Sequence, residues 1–145
     1  MKVSEFMHTP AVTCPAKMTV GEVARLMSDR CVGCVLVVDE VGYLAGIVTD
    51  RDLALRVLGK GHSADIPITE VMTRDVATIS NHADISTAAA IMATRTVRRL
   101  PVVDAEGQLA GIVAVDDLID IMAEQLRAMT QAIAREQARE ARTRV

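Results

Sequence analysis

The chain has 145 residues, a formal net charge of −3 and three cysteines; half of it is hydrophobic and only 1% is aromatic. This composition excludes a disordered chain, disfavours general nucleic-acid binding and removes base-stacking platforms. The longest apolar run, Cys31–Asp39, falls well short of the roughly 18 residues of a membrane span, Met1–Glu5 lacks a signal peptide's apolar stretch, and an odd cysteine count argues against a disulfide framework, so a soluble cytoplasmic protein without a membrane or nucleic-acid partner is expected.

In chain order, Ala11–Cys14 is a short β-prone segment. Thr19 opens a helix, with Glu22 at the capping-box spacing and Val20, Val23, Ala24 and Met27 on one apolar face. Cys34–Val38 reads as a buried strand, Asp39–Gly42 as a turn and Tyr43–Val48 as the returning strand. Asp50 is expected to cap a second helix that stops near Gly59. After a linker the series recurs: Val76–Ile79, a helix from Asp84, Arg99–Val103, the turn Asp104–Gly107, Gln108–Val113 and a helix from Asp116.

The recurrence is a true internal repeat. Shifted by 65 residues, segment 3–58 matches 68–123 without a gap at 18 of 56 positions; unrelated sequence of ordinary composition would give roughly 4. Leu44–Val48 falls on Leu109–Val113, and Asp52-Leu53 on Asp117-Leu118. Two copies suggest a pair related by an approximate two-fold axis rather than a solenoid. The expected class is α/β (α+β): two β-α-β-β-α repeats packed sheet to sheet, with a long C-terminal helix. Residues 1–60 form the first repeat, 61–67 a linker, 68–123 the second repeat and 124–145 the helical extension.

Gly46-Ile47-Val48-Thr49-Asp50-Arg51-Asp52 resembles the nucleotide motif of CBS (cystathionine-β-synthase) domains, and Arg98–Asp104 resembles that family's second strand. The tandem arrangement resembles a Bateman module, and the resemblance spans residues 3–123. It implies an adenosine-containing ligand (AMP, ADP, ATP or an S-adenosyl compound) held between the repeats, with or without magnesium and with no further cofactor. Site one, as the resemblance implies it, sets Thr49 and Asp52 against Arg98 and Arg99, with Ile47, Ala77, Thr78 and Pro101 beside them. The chemistry suits these residue types. An ionised carboxylate accepts from ribose hydroxyls, and arginine forks match phosphate. Gly46 is expected to let the backbone approach a ligand closely. Taken alone, Asp52 also fits a helix cap, Thr49 a strand-end packing residue, and Arg98 and Arg99 ordinary surface arginines. Site two would use Asp117, Ile112, Val12 and Thr13, but Ala114 stands at the threonine position, and Gly33 and Cys34 stand where Arg98 and Arg99 do. It is expected to be weaker or empty.

Cys31 and Cys34 have redox or half-zinc spacing, yet they end a helix and enter a strand instead of opening a helix, so buried structural cysteines are expected. Cys14 and most of the methionines read as packing. The last helix carries Leu118, Met122, Leu126, Met129 and Ile133 as one stripe that outruns the repeat, which suggests a homodimer. Arg135–Arg144 alternates Arg and Glu and is expected to fray. No nucleophile–base pair, catalytic carboxylate pair or metal cluster is evident, so the reading is a sensor acting on an unknown effector protein, not an enzyme. The alternatives are a ligand-free interaction scaffold and a thiol or metal protein.

Overall fold

Two three-stranded sheets account for the repeat. In the first, β1 (Thr13–Pro15), β2 (Cys34–Val38) and β3 (Leu44–Thr49) lie in that order. β1 and β2 are parallel, a pairing that needs a crossover, and α1 (Val20–Arg30) supplies it. β2 and β3 run antiparallel, with Leu36 opposite Ile47 and a bulge at Val37/Val38. The second sheet repeats the order with β4 (Ile79–Ser80), β5 (Arg99–Val103) and β6 (Leu109–Ala114), and α3 (Ile85–Arg95) is its crossover. α2 (Asp50–Asp52) follows β3, and α4 (Val115–Thr143) follows β6. The structure is a computed structural model that describes residues 1–144, in two units: residues 1–113, which hold the body of both repeats, and the segment from Ala114 onward.

Local chemistry explains where the helices start. Thr19 Oγ1 accepts the Glu22 N–H at 3.2 Å, and the Glu22 carboxylate accepts the Thr19 N–H at 2.9 Å. At α3 the cap is Asp84, whose Oδ1 accepts the Thr87 N–H at 2.8 Å and the hydroxyls of Ser86 and Thr87 at 2.7 and 2.9 Å. Led by the Thr87 backbone bond, these donors pull the Asp84 carboxyl down to about 2. Both helices end on a left-handed residue that is not glycine, Cys31 and Thr96, each at φ 54°.

Several boundaries differ from the sequence expectation. β1 lies two residues later than Ala11, and β4 shrinks to Ile79–Ser80, leaving Val76–Thr78 irregular. The helix after β3 is capped by Thr49, not Asp50, and does not run on as α-helix: Leu53–Val57 is a π turn and Leu58–Lys60 a 3-10 turn. The repeats also exchange their leading segments. Val20 and Gly21 at the start of α1 donate to the Ile66 and Ala64 carbonyls, both at 2.9 Å, so the linker satisfies donors that a helix start leaves open. Ile68, Val71 and Met72 pack into the first repeat's core with Val23, Val35, Val37 and Val48. At the other end, Val3 N–H donates to the Ala83 carbonyl at 2.8 Å, just ahead of α3. Burying an Ile68-sized side chain is worth about 1.5–3 kcal/mol, so this exchange ties the repeats together.

The segment from Ala114 is one helix. The tail does not fray at Arg135; α4 continues to Thr143. Ala132, Ala134, Ala138 and Ala141 are strong helix formers, and Glu140 stands four residues before Arg144, a favourable spacing. The apolar stripe is also divided: Leu118 is buried, whereas Ile119, Met122, Leu126, Met129 and Ile133 are exposed. No helix among the described residues is long and apolar enough to cross a membrane.

Candidate functional site

Thr49 ends β3 and turns the chain into α2. Its N–H donates to Asp52 Oδ2 at 2.9 Å, and the Asp52 N–H donates to Thr49 Oγ1 at 3.1 Å. This reciprocal box fixes both side chains. A hydroxyl that accepts one bond keeps its own proton to donate, and a carboxylate has about four acceptor positions, so capping leaves both groups able to meet a ligand. Asp52 is only 18% exposed and pairs with Arg56 at 3.4 Å. Arg56 Nη1 in turn donates to the Val71 carbonyl at 2.7 Å and to Thr73 Oγ1 at 3.2 Å. Arg56 therefore fastens Asp52 to the segment that opens the second repeat.

That segment also bonds directly to β3. Ile47 N–H donates to the Thr73 carbonyl at 3.0 Å, and Thr73 N–H returns a bond at 2.8 Å. In the second repeat, Ile112 and His8 exchange the same pair at 3.0 and 2.9 Å. These bridges explain the glycine before each isoleucine. A Cβ at Gly46 would lie 2.5 Å from Met72 Sδ and 2.9 Å from the Thr73 carbonyl oxygen; at Gly111 it would lie 2.6 Å from the His8 carbonyl oxygen. Close approach is thus required, but by the protein's own backbone, which corrects the expectation that Gly46 serves the ligand.

Within residues 1–113 a cavity of about 370 Å³ opens between the repeats. Thr49, Asp52 and Ile47 border it from the first, and Arg98, Arg99 and Ala77 from the second. Its volume is within the usual range for small-molecule sites. Six of the eight residues expected at site one therefore meet in one place. The other two do not border it: Thr78 is exposed and faces two neighbouring depressions, and Pro101 is fully buried in β5. Thr73, Asp75, Val76, Arg95 and Val97 complete the wall and were not anticipated. Arg95 pairs with Asp75 at 3.0 Å. The wall thus carries three arginines and two aspartates, with apolar surface from Ile47, Val76, Ala77 and Val97.

The residues named for site two each have local partners. Val12 lends its carbonyl to Leu36 N–H at 3.0 Å, Thr13 is exposed opposite Leu36 in the β1–β2 ladder, and Ile112 is bridged to His8. Asp117 lies in the first turn of α4, where Oδ2 accepts the Ala114 N–H at 2.7 Å. Ala114 has no hydroxyl to return the bond.

The cysteine pair separates. Burial pushes the Cys34 thiol up to about 11, against the lowering pull of Arg99, so it is protonated at neutral pH. Cys14 is also buried and raised to about 11 by desolvation. Cys31 is exposed, which corrects the expectation that both members of the pair are buried. No group of three or more His, Cys, Asp or Glu suited to a metal occurs among the described residues.

Comparison with known proteins places these features in context. The CBS domain profile matches residues 3–59 and 68–124. The CBS domain-containing protein YhcV of Bacillus subtilis is 38% identical over 116 residues, 80% of this chain and 81% of that protein. The CBS domain pair of protein MJ0100, solved with 5′-methylthioadenosine and S-adenosyl-L-methionine, superposes with a TM-score of 0.78 at 26% identity, covering 86% of this chain and 98% of that one. The CBS domain protein PAE2072 of Pyrobaculum aerophilum, solved with AMP, has the same fold: TM-score 0.75 at 24% identity, over 81% of this chain and 89% of that one.

Proposed function

The chain belongs to the CBS domain family, and from that premise we propose that it is a regulatory sensor of a phosphorylated adenosine nucleotide, bound in the cavity between its repeats. One observation carries the reading: Thr49 and Asp52 of the first repeat and Arg98 and Arg99 of the second, residue types that suit the ribose and the phosphate of a nucleotide, border one cavity. The Asp52 carboxylate suits the ribose hydroxyls, and Thr49 can donate to ribose or phosphate. The arginine forks suit phosphate oxygens. Ile47, Val76, Ala77 and Val97 offer apolar surface to adenine.

The charges select among adenosine ligands. Arg95, Arg98 and Arg99 outnumber Asp52 and Asp75 in the wall. An excess of positive charge favours a phosphate over a sulfonium, so AMP and its di- and triphosphates rank ahead of the S-adenosyl-L-methionine held by MJ0100. Magnesium would accompany the di- and triphosphates only. A ligand that touches both repeats can bias their packing, and through it the affinity for an effector protein. The chain acts in this reading as a cytoplasmic binding module and not as an enzyme, and it works as a homodimer joined through α4.

The test is a melting experiment with AMP, ADP, ATP and S-adenosyl-L-methionine at millimolar concentration. A nucleotide at 100 times its dissociation constant adds about 2.7 kcal/mol, which for a chain of this size raises Tm by about 5–10 °C. A transition that none of the four compounds moves would favour a ligand-free interaction scaffold.

A further inference from the structure

We propose that Arg56 is a positioning residue for the ribose: it orients Asp52 and Thr73 together, and through them gives the chain a preference for a ribonucleotide over its 2′-deoxy counterpart. The inference rests on the nucleotide reading above and specifies how that cavity reads the sugar.

Arg56 stands behind two groups of the cavity wall, one from each repeat. Asp52 and Thr73 border the cavity, and Arg56 does not. Its Nη1 donates to the Val71 carbonyl at 2.7 Å and to Thr73 Oγ1 at 3.2 Å, while Nη2 lies 3.4 Å from Asp52 Oδ1. Both hydrogen bonds go to the segment that opens the second repeat, so that segment sets the plane of the rigid guanidinium fork. The contact to Asp52 is longer than an ordinary hydrogen bond. It holds the carboxylate by charge and leaves Oδ1 able to accept from a ribose hydroxyl, while Oδ2 accepts the Thr49 N–H.

Thr73 is held just as firmly. Its backbone exchanges two hydrogen bonds with Ile47, which leaves the side-chain torsion to be set. The bond from Arg56 sets it, and a hydroxyl that accepts one bond keeps its own proton to donate. The cavity thus presents an acceptor from one repeat and a donor from the other, both aligned by one guanidinium. The vicinal hydroxyls of a ribose suit such a pair, and a 2′-deoxyribose lacks one of them.

Two further observations single out Arg56. A plain ion pair four residues along a helix would reach only Asp52, whereas Arg56 also bonds residues 15 and 17 positions away. The turn that carries it, Leu53–Val57, is a π turn, a rare conformation concentrated at functional sites. The equivalent residues 118–122 of α4 are ordinary α-helix. Ile121 stands at the position matching Arg56, and His8 at that matching Thr73. The bridge is therefore confined to the copy that carries Thr49.

The test titrates AMP and 2′-deoxy-AMP calorimetrically into the full chain and into its Arg56→Met and Thr73→Val variants. Arg56→Met keeps a long side chain without the fork. Thr73→Val keeps the shape without the hydroxyl and leaves the backbone bridge to Ile47 in place. The parent should favour AMP by about 10- to 100-fold, the range of a hydrogen bond to an ionised group. In each variant that ratio should fall below about 3-fold, through loss of AMP affinity and with circular dichroism unchanged. An arginine with a structural role alone would weaken both nucleotides equally; an unchanged ratio in either folded variant would overturn the proposal. Should Arg56→Met not fold, Thr73→Val decides. A parent that binds both nucleotides equally would also overturn it, while the cavity assignment stands. A parent that binds neither would reject the cavity reading itself, and the proposal with it.

Discussion

The turn at Thr49–Asp52 and the turn at Ala114–Asp117 occupy equivalent positions 65 residues apart; they share the final aspartate, and where the first has the Thr49 hydroxyl the second has Ala114. In both, the aspartate reaches back to the N–H three residues earlier, at 2.9 Å in the first and 2.7 Å in the second. The carboxylate is therefore required by the helix start whether or not a ligand is bound. What the first turn adds is Thr49, which returns the bond and keeps a donor, and Arg56, which ties Asp52 to Val71 and Thr73. At the position matching Arg56, α4 carries Ile121. The equipment for a charged ligand is thus concentrated on one side of the pseudo-symmetry. Arg98 and Arg99 point the same way, because their counterparts are Gly33 and Cys34.

The largest expected effect comes from removing that charge. Hydrogen bonds to ionised groups contribute about 1.5–3 kcal/mol each, so Arg98→Ala with Arg99→Ala should weaken AMP binding by more than about 100-fold. Adenosine, which has no phosphate, should bind the double variant nearly as well as it binds the parent. Calorimetry that finds equal losses for AMP and adenosine would move the arginines from phosphate recognition to structure.

The glycine bridges sharpen the comparison at the level of stability. Gly111→Ala drives a methyl to 2.6 Å from the His8 backbone oxygen, whereas at Gly46 it would meet the buried Met72 side chain at 2.5 Å and the Thr73 backbone oxygen at 2.9 Å. Overpacking costs about 1–3 kcal/mol. Gly111→Ala should fall at the upper end of that range and Gly46→Ala lower, because the backbone oxygen, which cannot rotate away, lies closer to the added methyl at Gly111. Denaturant titration of the two variants checks the order, and the reverse order would contradict the bridge argument.

Thr49→Ala removes from the first turn the hydroxyl that the second lacks at Ala114. Loss of a threonine cap costs about 0.5–2 kcal/mol of stability, and AMP binding should weaken with it. Ala114→Thr is the complementary change and should gain stability, since Asp117 already occupies the partner position. A pair of variants that both destabilise would show that the boxes are not interchangeable.

The two crossover helices give the smallest effect. α1 starts on an uncharged threonine and α3 on Asp84, whose carboxyl is lowered to about 2 by the Thr87 N–H and the Ser86 and Thr87 hydroxyls. A carboxyl lowered in the folded state stabilises it above the unfolded pKa of about 3.9, and the contribution is lost as pH falls from there through about 2. Asp84→Asn should therefore flatten the acid limb of the stability curve between those values. An unchanged acid limb would remove Asp84 from that role.

The architecture was legible because the chain states it twice. Cys34–Val38 and Arg99–Val103 coincide with β2 and β5, and Thr19 and Asp84 cap the helices expected of them. Thr49, Asp52, Arg98 and Arg99 were legible as site residues because they form a local motif and its matching strand. The remainder depends on contacts that no local pattern encodes. Arg56 is four residues from Asp52, but what it holds is 15 and 17 residues away. Thr73, Asp75 and Val76 lie in an irregular stretch with no periodicity, and they reach the cavity through the Ile47–Thr73 bridge. Pro101, expected beside the ligand, is buried in β5, and a strand position alone does not say which face is buried. The stripe on α4 was read through Leu118 because an interval of four from Met122 fits a helix as well as three does; only burial separates Leu118 from Ile119.

The central claim is that one cavity between the repeats, built on Thr49 and Asp52, holds the nucleotide. Its most direct test is calorimetric titration of AMP into the Asp52→Ala and Asp117→Ala variants side by side. The account predicts that Asp52→Ala weakens binding by about 1.5–3 kcal/mol, the range for a hydrogen bond to a charged group, while Asp117→Ala leaves the affinity close to that of the parent. Binding abolished by Asp117→Ala and retained by Asp52→Ala would contradict it.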